Sequence, residues 1–467
     1  MINLNKDSNP KPLLPPEARV KSFDEVSEGY SEGMAIREAM RCLQCREHPC
    51  MNACPLRMRI PEFIRKTAEG DFQSAAAIIR SRSPMPAVCS RVCPQENQCE
   101  GHCVRGERGE PVRIGLLERF VIDRCRNAPE NGNAQGYDEF GKHKVAVIGA
   151  GPAGIACAGA LADRGYAVTI VEATEQLGGV MLYGIPNYRL PKRILAEEID
   201  KLTSKGVRIV KNTQVGEFFT TDELIRREGY DAVFIGTGAD MPTFMKIPGC
   251  DAPGVCTAHE YLTDINLQHA GLTRPGAKIR LGKRIAIVGA GNVAMDAARC
   301  AMRLGAEKVF IIYRRGMEEI PARRDEVAET LEEGVEILLL TNPVEIKTDE
   351  SGNVSGVECQ KMALGEPDDS GRRQPIPVPD SNFVLDADMV IMALGSKQSA
   401  RLLNATKGLQ GSEKGGIDAA ADASTSRPGI YAGGDAVTGP ATVSKAVSAG
   451  LTAANSIDHF IREKYRE

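Results

Sequence analysis

Two residue types in this chain are spaced for chemistry: cysteines crowded toward the N-terminus, and glycines that recur after apolar runs. Eight of the 14 cysteines form two runs of four, Cys42-x2-Cys45-x4-Cys50-x3-Cys54-Pro55 and Cys89-x3-Cys93-Pro94-x4-Cys99-x3-Cys103. Thiolates at that density serve as soft metal ligands or redox centres. Residues 1–23 hold no apolar core of signal-peptide length. An exporting context is therefore not expected, and metal or redox use is favoured over a disulfide framework. The glycines suit another task. Gly149, Gly151 and Gly154 have the spacing of a dinucleotide fingerprint: one glycine for the tight turn, one for backbone approach to a pyrophosphate, one for close packing of helix on strand.

Such a fingerprint needs a strand before it, a helix through it and an acid after a second strand. KVAVIGAGPAGIACAGALADRGYAVTIVE supplies all three: an apolar strand over 145–148, a helix after the glycine-rich turn, and a strand over 167–171 that ends at Glu172, where a carboxylate accepts hydrogen bonds from a ribose. The helix start points at phosphate. Next, EQLGGVMLYGIPNYRLPK places Gly178, Gly179 and Gly184 in a loop where backbone can approach an extended cofactor. A helical run over 193–202, a strand over 207–210 and DAVFIGTG, closing at Gly238, read as further α/β units. Then the pattern repeats. RIAIVGAG over 284–291 runs strand into glycine turn, with Gly289, Gly291 and Ala294 as the fingerprint, Asn292 and Val293 between them, and a second strand over 309–313. That strand ends in Arg314 and Arg315 where the first ends in Glu172. A guanidinium suits a 2′-phosphate that an acid would repel, so the second cofactor is expected to be NADPH, with Arg323 or Arg324 sharing the contact. Near the C-terminus, GIYAGGDAVTGPATVSKAVSAG reads as a strand, then Gly433, Gly434 and Asp435, then a helix from about Ala441.

The rest of the chain narrows the class. A net charge of −4 with interspersed signs offers no basic field for nucleic acid. The apolar window over 145–162 is a strand, turn and helix rather than a membrane span, and a cytoplasmic chain is expected. No CxxC follows the first fingerprint, which disfavours a disulfide-reducing mechanism, and no nucleophile and base pair stands out, so no catalytic side chain is assigned. Cys157 and Cys300, in the helices after the glycine turns, read as core. Between the cysteine runs, residues 61–80 form helix broken near Gly70, and the polar, glycine-rich 127–142 reads as a linker. A cysteine run closing in Cys-Pro, with a second run elsewhere, is similar to bacterial ferredoxin ligation, although the spacing differs. A pair of zinc sites is the alternative that CxxC spacing allows.

RCLQCREHPCMNACP and PAVCSRVCPQENQCEGHC, followed by the first nucleotide motif, resemble the small (beta) subunit family of NADPH-dependent glutamate synthase. The same architecture is shared by the large subunit of ferredoxin:NADP transhydrogenase, by sulfide dehydrogenase and by the N-terminal half of dihydropyrimidine dehydrogenase. The resemblance implies an α/β chain: a helical domain with two 4Fe-4S clusters over 1–141, an FAD domain over 142–244 resumed at 394–467, and an NADPH domain over 245–393. It implies one cluster on Cys42, Cys45, Cys50 and Cys103, and another on Cys54, Cys93 and Cys99 completed by Glu118 of GLLERF or by Cys89. Gly149, Gly151, Pro152, Ala153, Gly154, Glu172, Gly179, Gly184, Gly238, Gly434 and Asp435 would serve FAD, with the helix start after Asp435 facing the flavin ring. Gly289, Gly291, Asn292, Val293, Ala294, Arg314 and Arg315 would serve NADPH. The expected activity is transfer of NADPH electrons through flavin and clusters to a larger glutamate synthase subunit in glutamate biosynthesis. The glutaminase domain and synthase barrel are expected on that other polypeptide, in a hetero-oligomer. The alternatives are the flavin subunit of a ferredoxin-linked transhydrogenase or of sulfide dehydrogenase, and a nucleotide-binding scaffold without turnover.

Overall fold

The computed structural model describes residues 3, 5–126, 143–272, 279–368, 371–413 and 415–465, so the linker expected over 127–142 lies outside the described residues. The N-terminal region is helical: α1 (Glu32–Ala39), α2 (Ile60–Ala68), α3 (Phe72–Arg80), α4 (Pro86–Val92) and α5 (Ile114–Arg124). Gly70, in the left-handed region at φ +77°, separates α2 from α3, and the Asp71 carboxylate caps α3 by accepting the Ser74 N–H.

Two nucleotide-type units follow. The first contains β1 (Lys144–Ile148), α6 (Pro152–Ala162), β2 (Ala167–Val171), α7 (Lys192–Ser204), β3 (Arg208–Val210) and β4 (Ala232–Ile235). After the short crossing strand β5 (Met241–Pro242), the second unit contains β6 (Val255–Thr257), β7 (Arg284–Val288), α8 (Asn292–Arg303), β8 (Lys308–Ile312), α9 (Arg324–Glu332) and β9 (Glu336–Leu338). Next come β10 (Thr341–Thr348), β11 (Val354–Pro367), β12 (Arg373–Pro377), β13 (Phe383–Asp386) and β14 (Met389–Met392). The chain returns through β15 (Ser396–Lys397), β16 (Ile430–Ala432) and the 22-residue α10 (Val443–Lys464).

Both main sheets are parallel and five-stranded, in the orders β16-β4-β1-β2-β3 and β6-β14-β7-β8-β9. Their apolar strands are buried on both faces, as parallel sheets require. Because β16 joins β4, the first unit is discontinuous in sequence, and the antiparallel pair β5–β15 carries both crossings between units. The antiparallel sheet β10-β11-β12, with β13 on β11, is an addition that the glycine motifs did not announce. α10 lies against α6 so closely that a Cβ on Gly450 would fall 2.1 Å from the Ala153 carbonyl oxygen.

One hydrophobic core runs from Phe63 and Leu117 of the helical region into Val145, Leu161 and Val447 of the first unit. A second is centred on Ile287, Ala294 and Ile311, and takes in Val26 and Tyr188 from outside its own unit. A buried charge network fastens this junction. Arg299, with no solvent exposure, pairs with Glu326 (2.7 Å), Glu329 (3.0 Å) and Glu333 (2.7 Å), while Arg189 reaches Asp296 at 2.7 Å. Burial by itself raises the Glu326 carboxyl, but Arg189 and Arg299 overcome it and hold the group well below the carboxylate range. The N-terminal segment joins in through Lys11–Glu329 and Arg19–Glu332, each 2.5 Å. Replacing Arg299 with Met should therefore leave three carboxylates without their shared cation, at a cost of about 3–5 kcal/mol. Calorimetry should show a lowered unfolding midpoint, and an unchanged midpoint would show that the network carries no stability.

Candidate functional site

The fold braids the two cysteine runs. Cys42, Cys45 and Cys50 share one cavity with Cys103, the last residue of the other run, between the apolar side chains of Leu43, Ile64 and Ile114. Two left-handed residues, Gln44 (φ +51°) and His48 (φ +45°), bend the first run around that space, and Gln44 Nε2 donates to Cys42 Sγ at 3.4 Å. Cys54, the last residue of the first run, lies within electrostatic reach of Cys93 and Glu118 instead, and Cys99 within reach of Cys54, Cys93 and Glu118. Buried Cys89, one helical turn before Cys93, is hydrogen-bonded to Cys93 and also within electrostatic reach of Glu118. Each run thus gives its closing cysteine to the other group, and both candidates for the eighth ligand lie at the second group.

Burial raises the Cys50 thiol to about 12 and the Cys54 thiol to about 11, and it raises the Glu118 carboxyl strongly, whereas the hydrogen bond with Cys89 lowers Cys93. Bare thiolates are disfavoured in such surroundings, and a metal would supply the missing countercharge. Among the described residues, no three His, Cys, Asp or Glu side chains converge closely enough to hold a single metal ion. Cys42, Cys45, Cys50 and Cys103 line one shared cavity, and thiolates are the ligands that 4Fe-4S clusters use.

At the first glycine turn, Gly149 is left-handed (φ +96°), and a Cβ on Gly154 would lie 1.9 Å from the Gly149 carbonyl oxygen. Gly151 has open space where a Cβ would sit, the cradle that a pyrophosphate needs. Glu172 ends the second strand, with its carboxylate holding the turn: Oε2 accepts the Ala150 N–H at 2.7 Å and Oε1 the Thr174 N–H at 2.8 Å. Gly179 packs on the turn, its Cβ position 2.9 Å from Gly151 Cα, whereas Gly184 packs on Val180 of its own loop. Gly238 borders open space, and Gly434 lies against Ala153 at the start of α6. Asp435 is half-buried, its Oδ1 accepts the Ala441 N–H at 3.1 Å, and burial pushes its carboxyl up to about 6.

The second turn repeats this geometry. A Cβ on left-handed Gly289 would lie 2.5 Å from the Ala393 carbonyl oxygen, Gly291 is open, and Ala294 is fully buried. Val293 is 45% exposed, an apolar surface at the start of α8. The arginines diverge. Arg314 is exposed, whereas Arg315 is buried, with Nη2 donating to Asp368 at 2.6 Å and Nε to the Arg373 carbonyl at 2.8 Å.

Some functional-looking residues escaped the sequence reading. Gln98 Nε2 donates to Ser444 Oγ at 3.2 Å, Ser444 is hydrogen-bonded to Cys93, and Ser448 Oγ donates to the Pro55 carbonyl at 2.9 Å. The first turns of α10 are thus seated on the loops of the second cysteine group. The available signal was a pair of serines four apart on a face otherwise made of Ala and Val. Lys192 also went unnoticed: buried at the start of α7, it donates to the Met181 and Ile185 carbonyls, and desolvation lowers it to about 7.

Residues 143–450 match the pyridine nucleotide-disulphide oxidoreductase family, and residues 19–130 match dihydropyrimidine dehydrogenase domain II, 4Fe-4S cluster. The glutamate synthase (NADPH) small chain of Escherichia coli is 35% identical over 98% of this chain and 98% of its own. The chain belongs to the glutamate synthase small-chain family of pyridine nucleotide-disulphide oxidoreductases. The NADP(+)-dependent formate dehydrogenase subunit beta of Moorella thermoacetica is 42% identical over 89% of this chain, which spans 60% of that subunit's length. Mycobacterium tuberculosis FprA in complex with NADPH shares the fold at 20% identity, with a TM-score of 0.56 over 69% of this chain and 85% of FprA. This family member is an oxidoreductase with FAD, NADPH and 4Fe-4S clusters as its cofactors, and the residues present fit them: two open glycine cradles and two groups of partly to fully buried free thiols. No helix among the described residues is long and apolar enough to cross a membrane. If Glu118 is the eighth cluster ligand, Glu118→Ala should lower the iron content of purified protein while Cys89→Ser leaves it unchanged. The reverse pattern would give that role to Cys89.

Proposed function

We propose that this chain is the electron-input subunit of glutamate synthase, drawing electrons from NADPH and delivering them to a larger, glutaminase-bearing partner. The observation that carries this reading is the seating of α10 on the second cysteine group through Ser444, Ser448 and Gln98. That helix start is the place where family resemblance puts the flavin ring, so the metal site and the flavin site would share a wall.

Gly151, the first residues of α6, Glu172, Gly179, Gly238, Gly434 and Asp435 would hold FAD. Gly291, Asn292, Val293 and Arg314 would hold NADPH. Cys42, Cys45, Cys50 and Cys103 would ligate one cluster, and Cys54, Cys93, Cys99 and Glu118 the other. Bound flavin supplies the exchange between a two-electron hydride donor and one-electron iron–sulfur carriers.

The chain's own residues place and tune these groups. The start of α10 presents partial positive charge to whatever lies before it, which favours an anionic, electron-rich ring. Arg314, exposed and unlike Arg315 not committed to Asp368, would meet the 2′-phosphate. Leu43, Ile64 and Ile114 wall the first thiol cavity against water. Hydride transfer needs no general base, and none is assigned.

A second reading gives the chain a different partner, such as a ferredoxin-linked flavoprotein or a dehydrogenase, and the higher identity to the M. thermoacetica subunit favours it. Identifying the chain that co-purifies with native protein separates the two: a large glutaminase-bearing chain supports the first, a dehydrogenase or small flavoprotein the second. In steady-state assays, Arg314→Ala should raise the KM for NADPH about tenfold or more and leave that for NADH unchanged. A wild-type preference for NADH, or an unaltered KM in the variant, would remove Arg314 from the nucleotide site.

A further inference from the structure

The turn between Cys93 and Cys99 has a second set of contacts, directed at the other nucleotide unit. Gln95, 6% exposed, is locked in place by the helical region. Its Nε2 donates to the Ser90 carbonyl (3.1 Å), and its own carbonyl accepts the N–H groups of Gln98 (3.0 Å), Glu100 (2.9 Å) and Gly101 (3.2 Å). Two glycines leave it no room to shift: a Cβ on Gly115 would fall 2.3 Å from Gln95 Nε2, and one on Gly101 would fall 2.1 Å from the Glu96 carbonyl oxygen.

From this fixed turn two hydrogen bonds cross to the second unit. Gln95 Oε1 accepts Arg323 Nη2 at 3.1 Å, and Glu96 Oε1 accepts the Arg324 N–H at 2.8 Å. Arg323 is the N-cap residue of α9 and Arg324 its first residue. The Arg323 N–H in turn donates to Asn292 Oδ1 at 3.0 Å, and Asn292 opens α8 directly after Gly291. A relay of side-chain contacts therefore runs from between two thiol positions to the first helical residue of the second glycine turn. The Arg323 guanidinium is turned toward Gln95, with Nη1 3.9 Å from Glu326 and Nε buried without a hydrogen-bond partner among the described residues. At the start of α9, Glu96 already accepts the first N–H.

We propose that Gln95 and Glu96 are positioning residues for the pyridine nucleotide, holding the start of α9 and, through the Arg323 N–H, the side chain of Asn292 in the orientation that the nucleotide meets. This rests on the reading of the second glycine turn as the NADPH site. The unit that binds the nucleotide is contiguous in sequence, but the turn that fixes its ligand-facing surface is borrowed from the thiol-bearing region. A held Asn292 needs no ordering when the ligand arrives, whereas a released one must be ordered at the expense of affinity.

Isothermal titration of purified holoprotein with 2′,5′-ADP, which has the 2′-phosphate but no nicotinamide, tests the proposal without turnover. Gln95→Leu and Glu96→Leu should each weaken binding about three- to tenfold at unchanged iron and flavin content, and the KM for NADPH should rise in step while kcat stands. Glu96→Gln, whose amide oxygen still accepts the Arg324 N–H, should bind like wild type. Arg323→Met should reproduce the Gln95→Leu loss, and the double variant should add nothing further. Wild-type affinity in both leucine variants, or a Glu96→Gln loss as large as that of Glu96→Leu, overturns the proposal. If Gln95→Leu loses iron, the outcome rests on the Glu96 pair. Failure of wild-type protein to bind 2′,5′-ADP is a separate result that defeats the reading of the second turn itself.

Discussion

The seating of α10 on the cysteine loops is the contact on which the rest of the structure depends. A helix start can lie this near a metal-type site only if its other face is fastened, and Gly450 provides that fastening by bringing α10 within backbone contact of α6. α6 in turn opens at the first glycine turn. One helix pair thus ties the nucleotide cradle to Cys54, Cys93 and Cys99, and the shared core from Leu117 to Val447 leaves no soft layer between them. Electron transfer between carriers needs close and constant spacing, and continuous close-packed interior supplies it where a flexible linker would not.

The same cysteine loops act in two directions. Exchange of Cys54 and Cys103 between the groups makes each depend on both runs, so neither forms from a local segment alone. The Cys93–Cys99 turn then extends the connection to the second unit through Gln95 and Glu96, while the buried Arg189, Asp296, Arg299 and Glu326 network closes the junction from the other side. Ion pairs at this depth add little net stability over apolar packing, but they fix relative orientation because a shifted partner would strand a buried charge. For two cofactor sites that must face one another, orientation is the property that matters.

The parts that could be read from the sequence are those whose physical demands are local. A glycine turn after an apolar strand specifies its backbone within a dozen residues, so both cradles, both parallel sheets and the helical cysteine region were foreseeable. Thr442 caps the last helix within two residues of its expected start. What was hidden lies in distant pairings. Arg314 and Arg315 look alike in sequence, and only Asp368, 53 residues beyond Arg315, separates their roles. Gln95 and Arg323 are 228 residues apart, and Gln98 and Ser444 346. No spacing rule reports such contacts. The crossed grouping of cysteines came from family resemblance, because eight similar thiols pair in many ways on paper and their spacing alone does not choose among them. The sheet formed by β10 to β13 was missed because half-exposed strands with bulges lack the clean apolar run that marked the buried ones.

In the proposed function, nicotinamide, flavin and two iron–sulfur sites form one continuous route. Anaerobic titration of the holoprotein with NADPH, followed together by flavin absorbance and low-temperature electron paramagnetic resonance, tests it most directly. The expected result is bleaching of the flavin band accompanied by the signal of reduced iron–sulfur centres within the same titration. An unchanged spectrum, or a bleached flavin beside centres that only an external reductant can reduce, would contradict it.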